Sequence, residues 1–212
     1  NPELWNSENI KTVISTAHTF SEYLNKKDQK EKIKFVSTFE IKRALPLYRK
    51  LFLIVKKDYE AVLGSKYFNI INGFFKDLNS SIKNLELPLR IIHNDFNPRN
   101  IAVRANGKPV VYDWELAVRN LPHRDVIEFL SFVLPKNFTK TELLAYLHFH
   151  HEIAGKEIAW DKWKHGYLRT LKEYILSRVL FYNAADILIK LKFSNRIFIS
   201  SMRIYKILSG LK

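Results

Sequence analysis

From residue 88 to residue 114 the sequence abandons a helical repeat for short strand-like runs, two of them meeting at Asn106-Gly107. "PLRII" is a short apolar run after a proline, and "IAVRANGKPVVYDW" reads as two strands around that dipeptide. Asn-Gly tolerates the positive φ of a tight hairpin and is the strongest short-range hairpin signal. Pro109 is acceptable at a strand start, where a missing N–H does little harm. On either side the periodicity is helical. In "SENIKTVISTAHTFSEYL", Ile10, Val13, Ile14, Ala17, Phe20 and Leu24 recur at three and four. A second set runs through Leu47, Leu51, Ile54, Val55, Tyr59 and Val62, and a third through Phe68, Ile71, Phe74, Phe75 and Leu78. Both sets are expected to face other helices. The charged stretch "NKKDQKEKIK" (25–34) reads as a surface turn or a frayed helix end. After residue 122 come "HRDVIEFLSFVL" and then "TKTELLAYLHFHHEIAG", with Thr139 and Glu142 at capping-box spacing. A long stretch from Trp160 to Lys192 is expected to contain a break, and a final helix ends near Gly210. The expected fold is mainly α with a small central β-hairpin insert (α+β).

The chain is long and apolar enough for a substantial core: 212 residues, 47% hydrophobic and 14% aromatic. It has no cysteine, which excludes disulfides and thiolate metal sites and fits a reducing compartment. No run approaches the roughly 18 apolar residues of a membrane helix, and no secretory signal is visible, so no membrane span and a cytoplasmic location are expected. Residue 1 is Asn and the single Met is Met202, so the chain is read as a piece of something longer. Lys and Arg number 35 against 21 Asp and Glu, a net +14. Residues 161–212 hold eleven against three, a net +8. Such a surface attracts nucleic acid, anionic lipid, an acidic partner domain or an anionic substrate; the blander reading is solvated helix faces.

The β insert carries the unusual polar residues. Asp95, in "IIHNDFNPRN", follows a strand and sits in a loop. Asn100 lies five residues on, where the next strand begins, and Asp113, in "VVYDWE", ends the second hairpin strand. A hairpin brings its outer ends together, so Asn100 and Asp113 are expected side by side, with Asp95 at the mouth of the loop. Two carboxylates and an amide oxygen then converge. A few hard oxygen ligands suit Mg²⁺, which keeps waters and takes phosphate oxygens. A carboxylate that stays off the metal can orient an attacking hydroxyl and accept its proton.

An Asp, an Asn five residues later and a metal-binding Asp at a hairpin end make up a kinase active site. "HNDFNPRN…VVYDWE" resembles the aminoglycoside phosphotransferase and choline kinase-like family, whose loop reads H-x-D-x-x-x-x-N and whose metal motif reads D-W or D-F-E. Protein kinases share the loop spacing but normally follow it with D-F-G; Trp114-Glu115 favours the small-molecule branch. The resemblance implies Asp95 as catalytic base or hydroxyl-orienting carboxylate, and Asn100 and Asp113 as Mg²⁺ ligands. It implies His93 as a brace of the loop. Pro122 and Asp125, in "LPHRDVIEFL", match a Pro-x-x-Asp opening of the next helix, with Asp125 accepting hydrogen bonds from the catalytic loop. Asn97 and Arg99 either brace the loop or approach phosphate or acceptor, and Glu115 is a further candidate contact. Glycine often stands in the family at the positions of Asn94 and Arg99. The six glycines are dispersed, so there is no Gly-rich phosphate loop, and no strand Lys followed by a helix Glu is found. Residues 1–212 are therefore expected to form the C-terminal, catalytic-loop and acceptor lobe of a kinase-like fold without its N-terminal nucleotide lobe.

Other clusters are weaker candidates. In "HFHH", His148 and His151 share a helix face while His150 points elsewhere, and no carboxylate motif accompanies them; a surface or half-buried cluster is expected rather than a metal site. His123 is read as a helix N-terminal residue. Trp160, Trp163, Tyr167 and Tyr174 either line an acceptor pocket or, the favoured reading, pack a core at helical spacing. No recognised nucleic-acid-binding motif accompanies the basic residues, so nucleic acid is not an expected partner. The implied activity is Mg²⁺-dependent transfer of the γ-phosphoryl group of ATP (or GTP) to a hydroxyl of a small, neutral or anionic acceptor, with little turnover by this segment alone. The alternative is a non-catalytic kinase-like module with a basic partner-binding surface.

Overall fold

The computed structural model describes residues 5–31, 33–34, 36–80, 82–190 and 193–211. In chain order the helices and strands are α1 (Ser7–Glu31), α2 (Leu45–Leu63), α3 (Ser65–Asp77), β1 (Arg90–Ile92), β2 (Ile101–Val103), β3 (Pro109–Val111), β4 (Val118–Asn120), α4 (His123–Val133), α5 (Lys140–Ala154), α6 (Trp160–Tyr174), α7 (Leu180–Ile189) and α8 (Ser194–Ser209). The fold is mainly α with a small β insert. Among the described residues no helix is long and apolar enough to cross a membrane.

Local chemistry explains most of the boundaries. The Asn6 side chain accepts from the Asn9 N–H at 2.9 Å and opens α1. That helix runs on through residues 25–31, so of the two readings of this charged stretch, surface turn or helix end, the structure has the helix end. Lys, Gln and Glu are good helix formers even without an apolar stripe; Lys32 lies outside the described residues. Pro46 sits in the first turn of α2, where its missing N–H would have had no partner. Thr139 and Glu142 form the full capping box at the start of α5: Thr139 Oγ1 accepts from the Glu142 N–H at 3.1 Å, and Glu142 Oε2 accepts from the Thr139 N–H at 2.6 Å. The break expected between Trp160 and Lys192 is a π-helical turn, Ile175–Val179, which joins α6 to α7 without interruption. Residues 191 and 192 lie outside the described set.

The strands form two antiparallel pairs. β2 and β3 are the hairpin, with Ile101 opposite Val111 and Val103 opposite Pro109. Its loop is longer than a two-residue turn. Gly107 takes positive φ (77°) and Asn106 does not; the Gly107 N–H donates to Arg104 O and the Arg104 N–H to Lys108 O. β1 pairs instead with β4, Arg90 opposite Asn120 and Ile92 opposite Val118. β4 is further held by residues 37–39: the Arg119 N–H donates to Ser37 O at 2.8 Å and the Phe39 N–H to Arg119 O at 3.0 Å. The Arg119 guanidinium also donates to Asp28 Oδ1 at 2.6 Å and Ile33 O at 2.8 Å.

The chain divides into two compact units. One comprises Asn1–Phe39 and Leu87–Tyr167 and holds α1, all four strands, α4, α5 and most of α6. Its core is built on Ile14, Ile91, Phe96, Phe129, Leu147 and Trp163, each almost wholly excluded from water. The other comprises Glu40–Glu86 and Leu168–Lys212 and is all helix: α2, α3, the end of α6, α7 and α8. Phe52, Phe68, Phe74, Phe75, Phe198 and Tyr205 interlock there, with ring centroids 4.8–6.0 Å apart and mostly tilted or edge-on. Each fully buried Phe stabilises the unit by about 1.5–3 kcal/mol. In α2 the buried face is Leu45, Phe52, Val55, Tyr59 and Leu63. Leu47, Ile54 and Val62, read from the sequence as part of the inward stripe, face outward. The helix is apolar on both sides, and periodicity alone does not choose between them.

Candidate active site

The loop between β1 and β2 is densely hydrogen-bonded. β1 delivers Ile91 and Ile92 into the core and ends on His93, which is fully buried. Asn94 then turns the chain with φ 62°, a left-handed conformation that Asn tolerates better than most L-residues. That is the physical content of the glycine so often found there, and Asn is an adequate replacement; its side chain also donates to Leu116 O at 3.2 Å. Asn97 caps the short turn Pro98–Asn100: its Oδ1 accepts from the Arg99 N–H at 3.1 Å and from Arg99 Nε at 3.3 Å. Its Nδ2 donates to Asp95 O at 3.2 Å.

Asn100 is tied directly to Asp95. Its Nδ2 donates to Asp95 Oδ2 at 2.8 Å and to Asp95 O at 2.9 Å. An ionised carboxylate only accepts, so the NH₂ end of Asn100 must face Asp95 and its Oδ1 is left as an outward lone-pair donor. His93 ties the other side of the loop. Its Nδ1 accepts from the Asp95 N–H at 3.2 Å, which places the ring proton on Nε2, the donor to Tyr112 O at 2.8 Å. The same ring lies 4.7 Å from the Trp114 ring. Trp114 in turn forms one wall of an apolar cleft of about 320 Å³ lined also by Phe20, Tyr23, Leu24, Ile91 and Ala117.

Asp125, in the first turn of α4, closes the loop from beneath. Its Oδ2 accepts from the His93 N–H at 2.8 Å and its Oδ1 from the Asn94 N–H at 2.9 Å. Burial raises its pKa above the usual carboxylate range, and the neighbouring imidazole and the two N–H donors work against that rise. The next turn holds a buried ion pair, Arg124 to Glu128, at 2.6 Å. Removing either partner of such a pair costs about 3–5 kcal/mol.

Asp113 follows the hairpin. The Tyr112 N–H donates to Asn100 O at 3.1 Å, one bond beyond the β2–β3 ladder, and Asp113 is the next residue. Its backbone is left-handed, φ 69° and ψ 57°, a conformation that costs an L-residue about 1–2 kcal/mol. The carboxylate is exposed, and among the described residues it makes no hydrogen bond or ion pair. Glu115, two residues on, is also exposed and likewise unbonded among the described residues. Arg99 stays within the loop: its carbonyl accepts from Tyr112 Oη at 3.1 Å, and its guanidinium lies 5.9 Å from the centre of the Phe132 ring.

The structure thus joins His93, Asn94, Asp95, Asn97, Arg99, Asn100 and Asp125 into one hydrogen-bonded network. Asp113 adjoins it through the backbone, and Glu115 stands at its edge. Among the described residues no group of three or more His, Asp or Glu side chains is arranged to hold a metal ion. The donors here are of another kind: the free Asp113 carboxylate, the remaining Asp95 oxygen and Asn100 Oδ1, all hard oxygens suited to Mg²⁺ and too few to enclose it.

A second polar cluster in the same unit lies outside the motif. His123, the first residue of α4, is fully buried, and among the described residues neither ring nitrogen has a partner at good hydrogen-bond geometry. Its ring lies 4.0 Å from Trp163 and 4.6 Å from Tyr167. It fits because residue 166 is glycine: a Cβ there would stand 2.6 Å from the His123 ring atoms. Tyr167 Oη donates to Leu147 O at 3.0 Å, accepts from Trp163 Nε1 at 3.3 Å and meets His150 Nδ1 at 2.7 Å. Trp163 and Tyr167 are therefore core residues. His148 and His151 both lie against the Trp160 ring, while His150 points inward. The sequence signal for this cluster was the isolated Gly166 between two aromatic residues at helical spacing.

Residues 40–164 match the family model described as "Phosphotransferase enzyme family". A comparison with curated proteins found no match. The matched segment is 125 of the 212 residues and contains the whole of the network described above, from His93 to Asp125. The chain belongs to the phosphotransferase enzyme family.

Proposed function

We propose that this chain is the catalytic-loop and acceptor lobe of a kinase that transfers the γ-phosphoryl group of ATP (or GTP) to a hydroxyl of a small molecule. The observation that carries this reading is the pairing of Asp95 with Asn100, on a loop suspended from Asp125, beside an unbonded Asp113. Asp95 takes the acceptor hydroxyl: one of its oxygens is fixed by Asn100 Nδ2, and the other is left to accept the hydroxyl proton. Asp113 and Asn100 Oδ1 are the residues that would hold Mg²⁺, which when bound neutralises charge on the transferring phosphoryl group. Asp125 and His93 are positioning residues. They hold the backbone of residues 93–95 and do not touch the reacting atoms. Asn97 and Arg99 brace the turn, and with Glu115 they are the residues we assign to contact with phosphate or acceptor, a role supported by the exposure of Arg99 and Glu115.

The nucleotide-clamping elements of such an enzyme have no counterpart among the six dispersed glycines of this sequence, so we place them on a separate N-terminal lobe of the same protein. A net charge of +14 complements a neutral or anionic acceptor and not a polycation. The compartment proposed is the cytoplasm, where the nucleotide is supplied. The test is phosphoryl transfer from Mg²⁺·ATP by the protein carrying both lobes, over a panel of hydroxyl acceptors, with Asp95→Ala as control. Loss of the base is expected to lower turnover about 10²–10⁴-fold; equal turnover by the two proteins would reject the assignment.

A further inference from the structure

The all-helical unit carries a surface that phosphotransfer does not explain. Residues 40–86 and 168–212 together hold 18 Lys and Arg against 7 Asp and Glu, a net +11 of the chain's +14. The same unit exposes an unusual number of large aliphatic side chains. Val62 is 71% exposed, Leu188 83% and Ile189 68%. They stand on the C-terminal ends of α2 and α7, which a hydrogen bond from Tyr59 Oη to Asp186 Oδ2 holds together. Lys190 follows directly on α7, and Lys66 lies in the first turn of α3, three residues beyond the end of α2. Along the outer face of α2, exposed Leu47, Leu53 and Ile54 are interleaved with exposed Lys50 and Lys57 and a single acid, Asp58. Lys50, Lys57 and Lys190 form no ion pair among the described residues.

We propose that this face, centred on Val62, Leu188 and Ile189, docks on an anionic phospholipid surface. Aliphatic side chains protruding from helix ends and an outer helix face, rather than lining a groove, fit a fluid layer that has no shape of its own to match. Lysines interleaved with them keep their charges at headgroup level while their stems lie along the apolar region. The charge chooses the occupant. A surface in a +11 unit repels a second copy of itself and attracts an anionic leaflet. Nucleic acid would use the cations and leave the protruding aliphatics facing water. Among the described residues no helix is long and apolar enough to cross the bilayer, so the contact proposed is with its surface. The inference is independent of the proposed phosphotransfer and would place the chain at a membrane whatever its acceptor.

The test is co-sedimentation of the full chain with vesicles of phosphatidylcholine containing about a third phosphatidylglycerol, against pure phosphatidylcholine vesicles. Binding is expected to be at least about tenfold tighter to the anionic vesicles and to weaken as salt is raised. Leu188→Gln with Ile189→Gln leaves the net charge unchanged and is expected to weaken binding about tenfold or more. Lys50→Glu with Lys57→Glu is expected to do at least as much through charge. All four positions are exposed, so the circular dichroism and melting temperature of each variant should match the parent, which separates docking from folding. Failure to sediment with anionic vesicles overturns the proposal. So does binding that is indifferent to Leu188 and Ile189, the mark of plain polyanion attraction to nucleic acid or an acidic protein. Concentration-dependent dimerisation abolished by the same pair of changes, without vesicle binding, would instead assign the face to a second copy.

Discussion

The buried histidines make the first unit sensitive to acid in a way that can be calculated. His150 is enclosed completely, and burial, with the nearby His18 and His151 adding to it, lowers its pKa from 6.5 to about 3. His123 is shifted in the same direction, also chiefly by burial. In the unfolded chain each imidazole takes up a proton as the pH falls through about 6.5. In the folded protein His150 does not do so until the pH approaches 3. Across that window the unfolded state binds more protons, so stability is fully present above about 6.5 and declines as the pH falls. At about pH 5 the unfolded His150 is some 1.5 units below its pKa, which at about 1.4 kcal/mol per unit removes about 2 kcal/mol from the folded state. His123 adds to the loss with the same sign. The assay is urea unfolding followed by tryptophan fluorescence at about pH 7.5 and pH 5. The comparison is His150→Gln, whose amide can still donate to Tyr167 Oη but cannot titrate. The variant should lose about 2 kcal/mol less than the parent between the two conditions. An identical pH dependence in both proteins would refute the argument that His150 is held neutral by burial.

Two further substitutions probe packing and loop support. Gly166→Ala would ordinarily favour a helix by about 1 kcal/mol. Here the new methyl would meet the His123 ring, itself held 4.0 Å from Trp163, so a net loss of about 1–3 kcal/mol is expected by thermal melting, relieved when His123→Ala is added. Asp125→Asn puts an NH₂ group where two backbone N–H groups now donate. One of them loses its acceptor, costing about 1–3 kcal/mol, and faster hydrogen exchange at His93 and Asn94 should report it; exchange as slow as in the parent would show that the loop is held by something else.

The sequence reading succeeded where local chemistry decides the outcome and stumbled where distant partners do. The third helix was legible because Phe68, Ile71, Phe74, Phe75 and Leu78 are all buried in α3 and at its end. The capping box at Thr139 was legible because its four-residue geometry is self-contained. β4 was missed. "VRN" offers one apolar residue in three and no period, and it is a strand because β1, Ser37, Phe39 and Asp28 hold it there. The outward side of α2 was misassigned because Leu47, Ile54 and Val62 look like core in a helix that has apolar residues on both its buried and its exposed side. Within the site, spacing foretold that Asp95 and Asn100 would share a loop. It did not foretell that Asp113 would stand unbonded, since that depends on what surrounds a residue after folding. The His123 cluster was harder to read for a related reason: its one mark in the sequence is the isolated Gly166, and the ring that glycine makes room for lies 43 positions away in the chain.

The two hydrogen bonds of the His93 ring have a mechanical meaning. One nitrogen is anchored to the backbone of Asp95 and the other to the carbonyl just before Asp113. An aromatic ring does not stretch, so it acts as a strut of fixed length between two loops that Tyr112 also joins, its N–H donating to Asn100 O and its Oη to Arg99 O. The spacing between the backbones that carry the two carboxylates is thus set partly by the covalent width of a ring and only partly by hydrogen-bond lengths.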